Sequence, residues 1–135
     1  MSYLLDSNVW IGLLRQPSAA LAARFRAMAP TADIRICSVV VAELWYGCAC
    51  SARPEDNRAA VTALTAPFPS LPYDDAAADH FATLRRQLES QGQVIGPFDL
   101  QIAAIALAHG CTLVTHNTSE FMRVPGLLVE DWQIL

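Results

Sequence analysis

At 135 residues, 53% of them hydrophobic, the chain has the size of one ordinary domain and enough apolar material for a core without disulfide or metal staples. Thirteen acidic residues against nine basic ones give a formal charge of -4, which excludes a generic basic nucleic-acid binder. Any nucleic-acid role must come from a local site, and because every basic residue is an arginine, phosphate would be gripped by forked guanidinium groups.

The start, Met1-Ser2-Tyr3, lacks the charged segment and cleavage site of a secretory leader, so the cytoplasm is the expected compartment. Tyr3-Leu4-Leu5 reads as a short buried strand that stops at Asp6-Ser7-Asn8, and Val9 to Leu14 continues with helical spacing. Pro17-Ser18 starts a second helix, with Leu21, Phe25 and Met28 on one face, which ends near Pro30. Ile34 to Ile36 is a second strand, and Ser38 is the expected N-cap of a helix running through Glu43 to about Cys48. Arg53-Pro54-Glu55 opens a helix that continues through Ala60, Val61 and Leu64, and Pro67 to Pro72 is irregular or a weak edge segment.

Asp74 caps a long helix from Asp75 to about Gln91, closed by Gly92. Pro97 suits the first turn of the next helix, which carries Asp99, buries Ile102, Ile105 and Leu107, and ends at Gly110. Cys111 to Thr115 is a third strand leading into His116-Asn117-Thr118, and Leu127 to Val129 is a fourth. Strands separated by helices predict an α/β fold, a parallel central sheet sandwiched by helices, with residues 1–135 as one domain. The longest apolar stretches, Ile36 to Trp45 and Leu100 to Ala108, contain a carboxylate or fall short of the roughly 18 residues of a membrane span. Cys37, Cys48, Cys50 and Cys111 form no framework and are expected to be buried free thiols; two positions apart on a helix, Cys48 and Cys50 point to opposite faces and suit zinc poorly.

In open parallel sheets, ligand sites collect beyond the carboxyl ends of the strands, and Asp6, Glu43, Asp99 and Asn117 all fall there. Taken singly, Asp6 reads as an Asx turn, Glu43 as a solvated glutamate and Asp99 as a capping carboxylate. Taken together, three carboxylates about 4 Å apart repel by about 4 kcal/mol per pair at an effective dielectric of about 20, and need a counter-charge. Glu43 lies among Val39-Val40-Val41-Ala42 and Leu44-Trp45-Tyr46, where a lone charge is costly. A hard divalent cation answers both demands: magnesium takes a few carboxylates, keeps waters and binds substrate phosphate, which suits phosphodiester hydrolysis by water.

The residues also resemble a family. Leu5-Asp6-Ser7-Asn8, Ser38 to Gly47 around Glu43, Ile95-Gly96-Pro97-Phe98-Asp99 with Ile102-Ala103-Ala104, and Leu113 to Asn117 follow the order of the PIN-domain ribonuclease toxins, the VapC members of VapBC toxin–antitoxin modules. Glu120-Phe121, Arg123 to Leu127 and Glu130-Asp131-Trp132 complete the match, which spans nearly the whole chain. The resemblance implies a magnesium-dependent endoribonuclease, with manganese as a substitute, whose catalytic and metal residues are Asp6, Glu43 and Asp99, supported by Asn8, Thr115 and Asn117. Asp6 and Asp99 would be the direct ligands, and Asn117 stands at the family's fourth acidic position. The closing segment is similar to toxins that cleave initiator tRNA in the anticodon stem-loop, with tRNA or rRNA as the substrate class. A homodimer and a cognate VapB antitoxin are implied as well, and Trp10, Leu13, Leu14, Trp45 and Tyr46 are candidate interface residues.

His116 could serve as a general base, while His80 and His109 read as structural. Arg15, Arg85, Arg86 and Arg123 are candidates for RNA phosphate contacts, against the simpler account of solvated helix faces. Two rival readings stay open. A phosphatase with Asp6 as aspartyl nucleophile would need a second aspartate at Asn8 and a lysine, and neither is present. A non-catalytic RNA- or antitoxin-binding module would use the carboxylates to anchor a partner's arginines.

Overall fold

The computed structural model describes residues 1–134. Five strands, β1 (Ser2–Leu5), β2 (Asp33–Cys37), β3 (Ser70–Leu71), β4 (Thr112–Val114) and β5 (Val129–Glu130), form one sheet in the order β3-β2-β1-β4-β5. Every neighbouring pair is parallel, with Leu4 opposite Arg35 on one side and Leu113 on the other. The helices are α1 (Ser7–Leu14), α2 (Ala19–Met28), α3 (Ser38–Ala49), α4 (Pro54–Thr65), α5 (Asp75–Ser90), α6 (Pro97–Ala108) and α7 (Thr118–Phe121). Because β1 is central and the chain builds outward to β3 before crossing back to β4, the strand order reverses between β1 and β4. Their carboxyl ends therefore form the crevice in which open α/β sheets bind ligands.

The helix starts follow local chemistry. Asp6, extended at φ -76 and ψ 174, caps α1 by accepting from the Val9 amide; Ser18 caps α2 through Leu21, and Asp74 caps α5 through Ala77. Pro97 sits at the head of α6, where its missing N–H costs nothing. Gly92 and Gly110 end α5 and α6 with φ of 66 and 65, a backbone region that disfavours side chains.

Helix α6 is the central packing element. Leu100, Ile102, Ala103, Ala104, Ile105 and Ala106 are all buried. Trp10 packs with Phe25 and Phe68 at centroid distances of 6.2 and 5.4 Å.

Several expectations need correction. Ser38 does not cap α3: Cys37 holds that position without a side-chain hydrogen bond, and the Ser38 hydroxyl accepts from the Tyr73 amide instead. The last strand is centred on Val129–Glu130 and not on Leu127 to Val129, and α7 follows the His116 turn, whereas the segment Pro67 to Pro72 does carry an edge strand, β3, as one of its two readings had it. Trp10 is fully buried and unavailable to a partner, whereas Trp45 and Tyr46 are exposed. Cys37, Cys48 and Cys111 are buried, but Cys50, just past the end of α3, is exposed. Burial raises the Cys37 thiol to about 11, which keeps it protonated and unreactive. None of the described helices is long and apolar enough to cross a membrane.

Candidate active site

Asp6 is the buried member of the acidic set. The geometry that caps α1 directs its carboxylate along the end of β1, where Oδ1 accepts from the Val9 amide at 3.0 Å and Oδ2 from the Thr115 hydroxyl at 2.5 Å. Thr115 follows β4, the strand beside β1, and its own Oγ1 accepts from the Asn117 amide at 3.0 Å. One hydroxyl thus ties the ends of both central strands to the carboxylate. Burial pushes the Asp6 carboxyl above its ordinary value, opposed by Thr115 and the Val9 amide and reinforced by the charge of Glu43.

Glu43, in the second turn of α3, is half-buried and faces Asp6 across the crevice. Its Oε1 accepts from Ser7 Oγ at 2.7 Å, so the hydroxyl beside Asp6 positions the second carboxylate. The neighbours that suggested a buried charge point elsewhere: Trp45 and Tyr46 turn to solvent, and Trp45 lies under the Arg58 guanidinium at 3.6 Å.

Asp99 stands in the first turn of α6, half-buried and free of hydrogen bonds from the described residues. Its carboxyl is pushed up to about 6, first by desolvation and then by the charges of Glu120, Glu43 and Asp6. Glu120, in the first turn of α7, is therefore a fourth carboxylate of this cluster. It accepts from the Asn117 side-chain amide at 2.7 Å and from the Gly96 amide at 3.4 Å. Asn117 thus positions an acid and does not substitute for one. A signal for Glu120 was present: Asn117-Thr118-Ser119-Glu120 after a buried strand has the spacing of a helix start, the rule that selected Asp99.

The remaining candidates divide. Asn8 contributes its backbone amide to Asp6, while its side chain is exposed. His116 pairs with Asp131 at 2.9 Å through Nδ1 and is turned toward β5. Arg15 shares a cleft between α1, α3 and α4 with Glu43, and Arg123 donates to the Val94 carbonyl at 3.2 Å, on the loop that leads to Asp99. Arg85 is engaged with Glu89 at 3.7 Å, and Arg86 lies with Ala82, Thr83, Gln87 and Ser90 on the outer surface of α5.

Four carboxylates thus meet at the switch point, and no ion pair among the described residues reaches any of them. They also do not close on one point: among the described residues, no group of three or more His, Cys, Asp and Glu side chains could by itself hold a metal ion. Asp6, Glu43 and Glu120 are each engaged by their own donor, Thr115, Ser7 and Asn117, and Asp99 has none among the described residues. Such an open, all-oxygen, uncompensated site fits magnesium, which binds through one or two carboxylates and retains its waters. It does not fit a closed zinc cage.

Known proteins similar to this chain give its family. Residues 3–127 match the family model described as PIN domain. The tRNA(fMet)-specific endonuclease VapC of Shigella flexneri is 39% identical over 98% of this chain and 98% of its own, and its counterpart in Salmonella typhimurium is 35% identical with the same coverage. Among solved structures, VapBC2 from Rickettsia felis, bound to a DNA fragment from its promoter, superposes with a TM-score of 0.92 at 32% identity, covering 98% of this chain and 99% of that one. The chain belongs to the PIN-domain family, and within it to the VapC ribonucleases. This kinship leaves the phosphatase reading without support.

Proposed function

We propose that the chain, acting as one domain from 1 to 135, is a magnesium-dependent endoribonuclease and the toxic half of a VapBC pair. The observation that carries this reading is the meeting of Asp6, Glu43, Asp99 and Glu120 at the β1/β4 switch point without a protein counter-charge. Asp6 and Asp99 would hold the divalent cation, with manganese as a substitute. When bound, the cation would supply a water more acidic than bulk water and a counter-charge for the phosphate.

The chain's own groups do the rest. Thr115 fixes the oxygen of Asp6 that it donates to, and Ser7 fixes Glu43 Oε1, leaving Glu43 Oε2 to accept the proton of the attacking water. Asn117 and the Gly96 amide steady Glu120, and Arg15 and Arg123 lie at the margins of the site, where they can receive phosphates. With His116 engaged by Asp131, no histidine base enters the scheme.

The names of the Shigella and Salmonella relatives, tRNA(fMet)-specific endonucleases, support initiator tRNA as the substrate; the cut within its anticodon stem-loop is part of our proposal. The VapBC assembly from Rickettsia felis supports a cognate VapB antitoxin as partner. Exposed Trp45, Tyr46, Met122 and Leu128 provide apolar surface for it and for a homodimer, and a cytoplasmic setting follows from an RNA target. The test is incubation of the purified chain with total tRNA and rRNA. Discrete fragments are expected with magnesium, none with chelator, and at least about a hundredfold less cleavage with Asp99→Asn. Cleavage that survives both treatments contradicts the metal scheme, and intact RNA throughout favours a non-catalytic binding module.

A further inference from the structure

The acidic cluster leaves one neighbouring feature unused. A groove between α3 and α6, lined by Ser38, Val39, Ala42, Glu43, Phe98 and Gln101, encloses about 280 Å3, close to the roughly 300 Å3 at which small-ligand sites begin. Phe98 is its unusual member. It is 62% exposed one residue before Asp99, although the helix beyond is almost wholly buried. Gln101, three positions on, shares the same face of α6. Except for Glu43 every lining residue is uncharged, and the adjoining carboxylates repel anions, so the groove suits a flat neutral group and not a second phosphate.

We propose that this groove holds the nucleobase adjoining the scissile phosphate, with Phe98 stacked on its face and the Gln101 amide and Ser38 hydroxyl meeting its edge. The inference rests on the ribonuclease reading above. Glu43 forms both the wall of the groove and one side of the acidic cluster, so a base seated here is continuous with a phosphate at the cation. Ser38 Oγ accepts from the Tyr73 amide, which leaves its proton free to donate. A base paired in a duplex cannot present its face to Phe98, so the nucleotide beside the cut must be unpaired.

The experiment begins by mapping the fragments that the wild-type chain makes from total tRNA and rRNA. A synthetic oligoribonucleotide spanning the mapped site is then made intact and with an abasic ribose on either side of the cut. Phe98→Ala is expected to lower kcat/KM on the intact oligonucleotide by about ten- to a hundredfold, chiefly through KM, with Phe98→Trp restoring most of it. One of the two abasic substrates should slow wild type by a similar factor yet leave Phe98→Ala unaffected. Losses that multiply between abasic substrate and variant, or a Phe98→Ala enzyme that cuts like wild type whatever its effect on protein partners, overturn the proposal while leaving the nuclease intact. A wild-type chain that cuts no RNA removes both readings.

Discussion

At the scale of single residues, Thr115 joins two strands and an acid through one hydroxyl. Thr115→Val keeps the volume but leaves a buried carboxylate oxygen and the Asn117 amide unpaired, a loss of about 1–3 kcal/mol. Urea denaturation should show that loss, with Thr115→Ser close to wild type. Asp99 makes a second prediction through pH. Its folded-state value of about 6 lies above the ordinary 3.8, so the folded chain holds this proton more tightly than the unfolded one. The ionised form therefore destabilises the metal-free fold: the cost is absent below about 3.8, grows as pH rises to about 6, and is constant above. In chelator, Asp99→Asn should melt higher than wild type at pH 7.5, with the advantage vanishing near pH 4. In the presence of cation, cleavage should fall as pH drops through about 6, with a midpoint that moves lower as magnesium is raised.

At the scale of elements, the acids are presented by helix starts, so each role is coupled to a fold. Asp6→Asn retains a good cap for α1 while removing a buried charge, and without metal it should be at least as stable as wild type though inactive. Asp6→Ala loses the cap and should fall below the Asn variant by about 0.5–2 kcal/mol in thermal melts. Helix α6 leaves no room: Ala103 is fully buried, and Ala103→Leu should cost about 1–3 kcal/mol and displace Asp99, so that activity falls with stability.

The elements legible in the sequence were those with enough residues for a period or an unambiguous cap. Helices α2, α5 and α6 announce themselves through Ser18, Asp74 and Pro97; Asp6 was visible at the end of a recognisable strand, Glu43 in the helix after one, and Asp99 in the opening turn that Pro97 marks. Strand β3, two residues long, and α7, four residues long, carry no period, and Glu120 went unread as a site residue with α7. Ser38 misled because a serine beside a helix start can cap or serve another segment, and Tyr73, distant in sequence, decided the matter. Trp10 and Tyr46 look alike in a hydrophobic chain; only the packing against Phe25 and Phe68 separates core from surface.

At the scale of the whole molecule, an acidic protein that acts on a polyanion must have its charge locally reversed. The described arginines are scattered, and the site itself is the most negative part of the crevice, so a cation has to make it hospitable to phosphate. Magnesium should then raise the melting temperature beyond what sodium chloride does at equal ionic strength, approaching about 2.7 kcal/mol at a hundred times its dissociation constant. The most direct measurement follows magnesium binding by calorimetry and tRNA cleavage on the same preparation across one magnesium titration. Coincident midpoints, with both signals lost in Asp99→Asn, are the predicted result; cleavage that persists in chelator, or that saturates at a magnesium concentration unrelated to binding, would contradict the account.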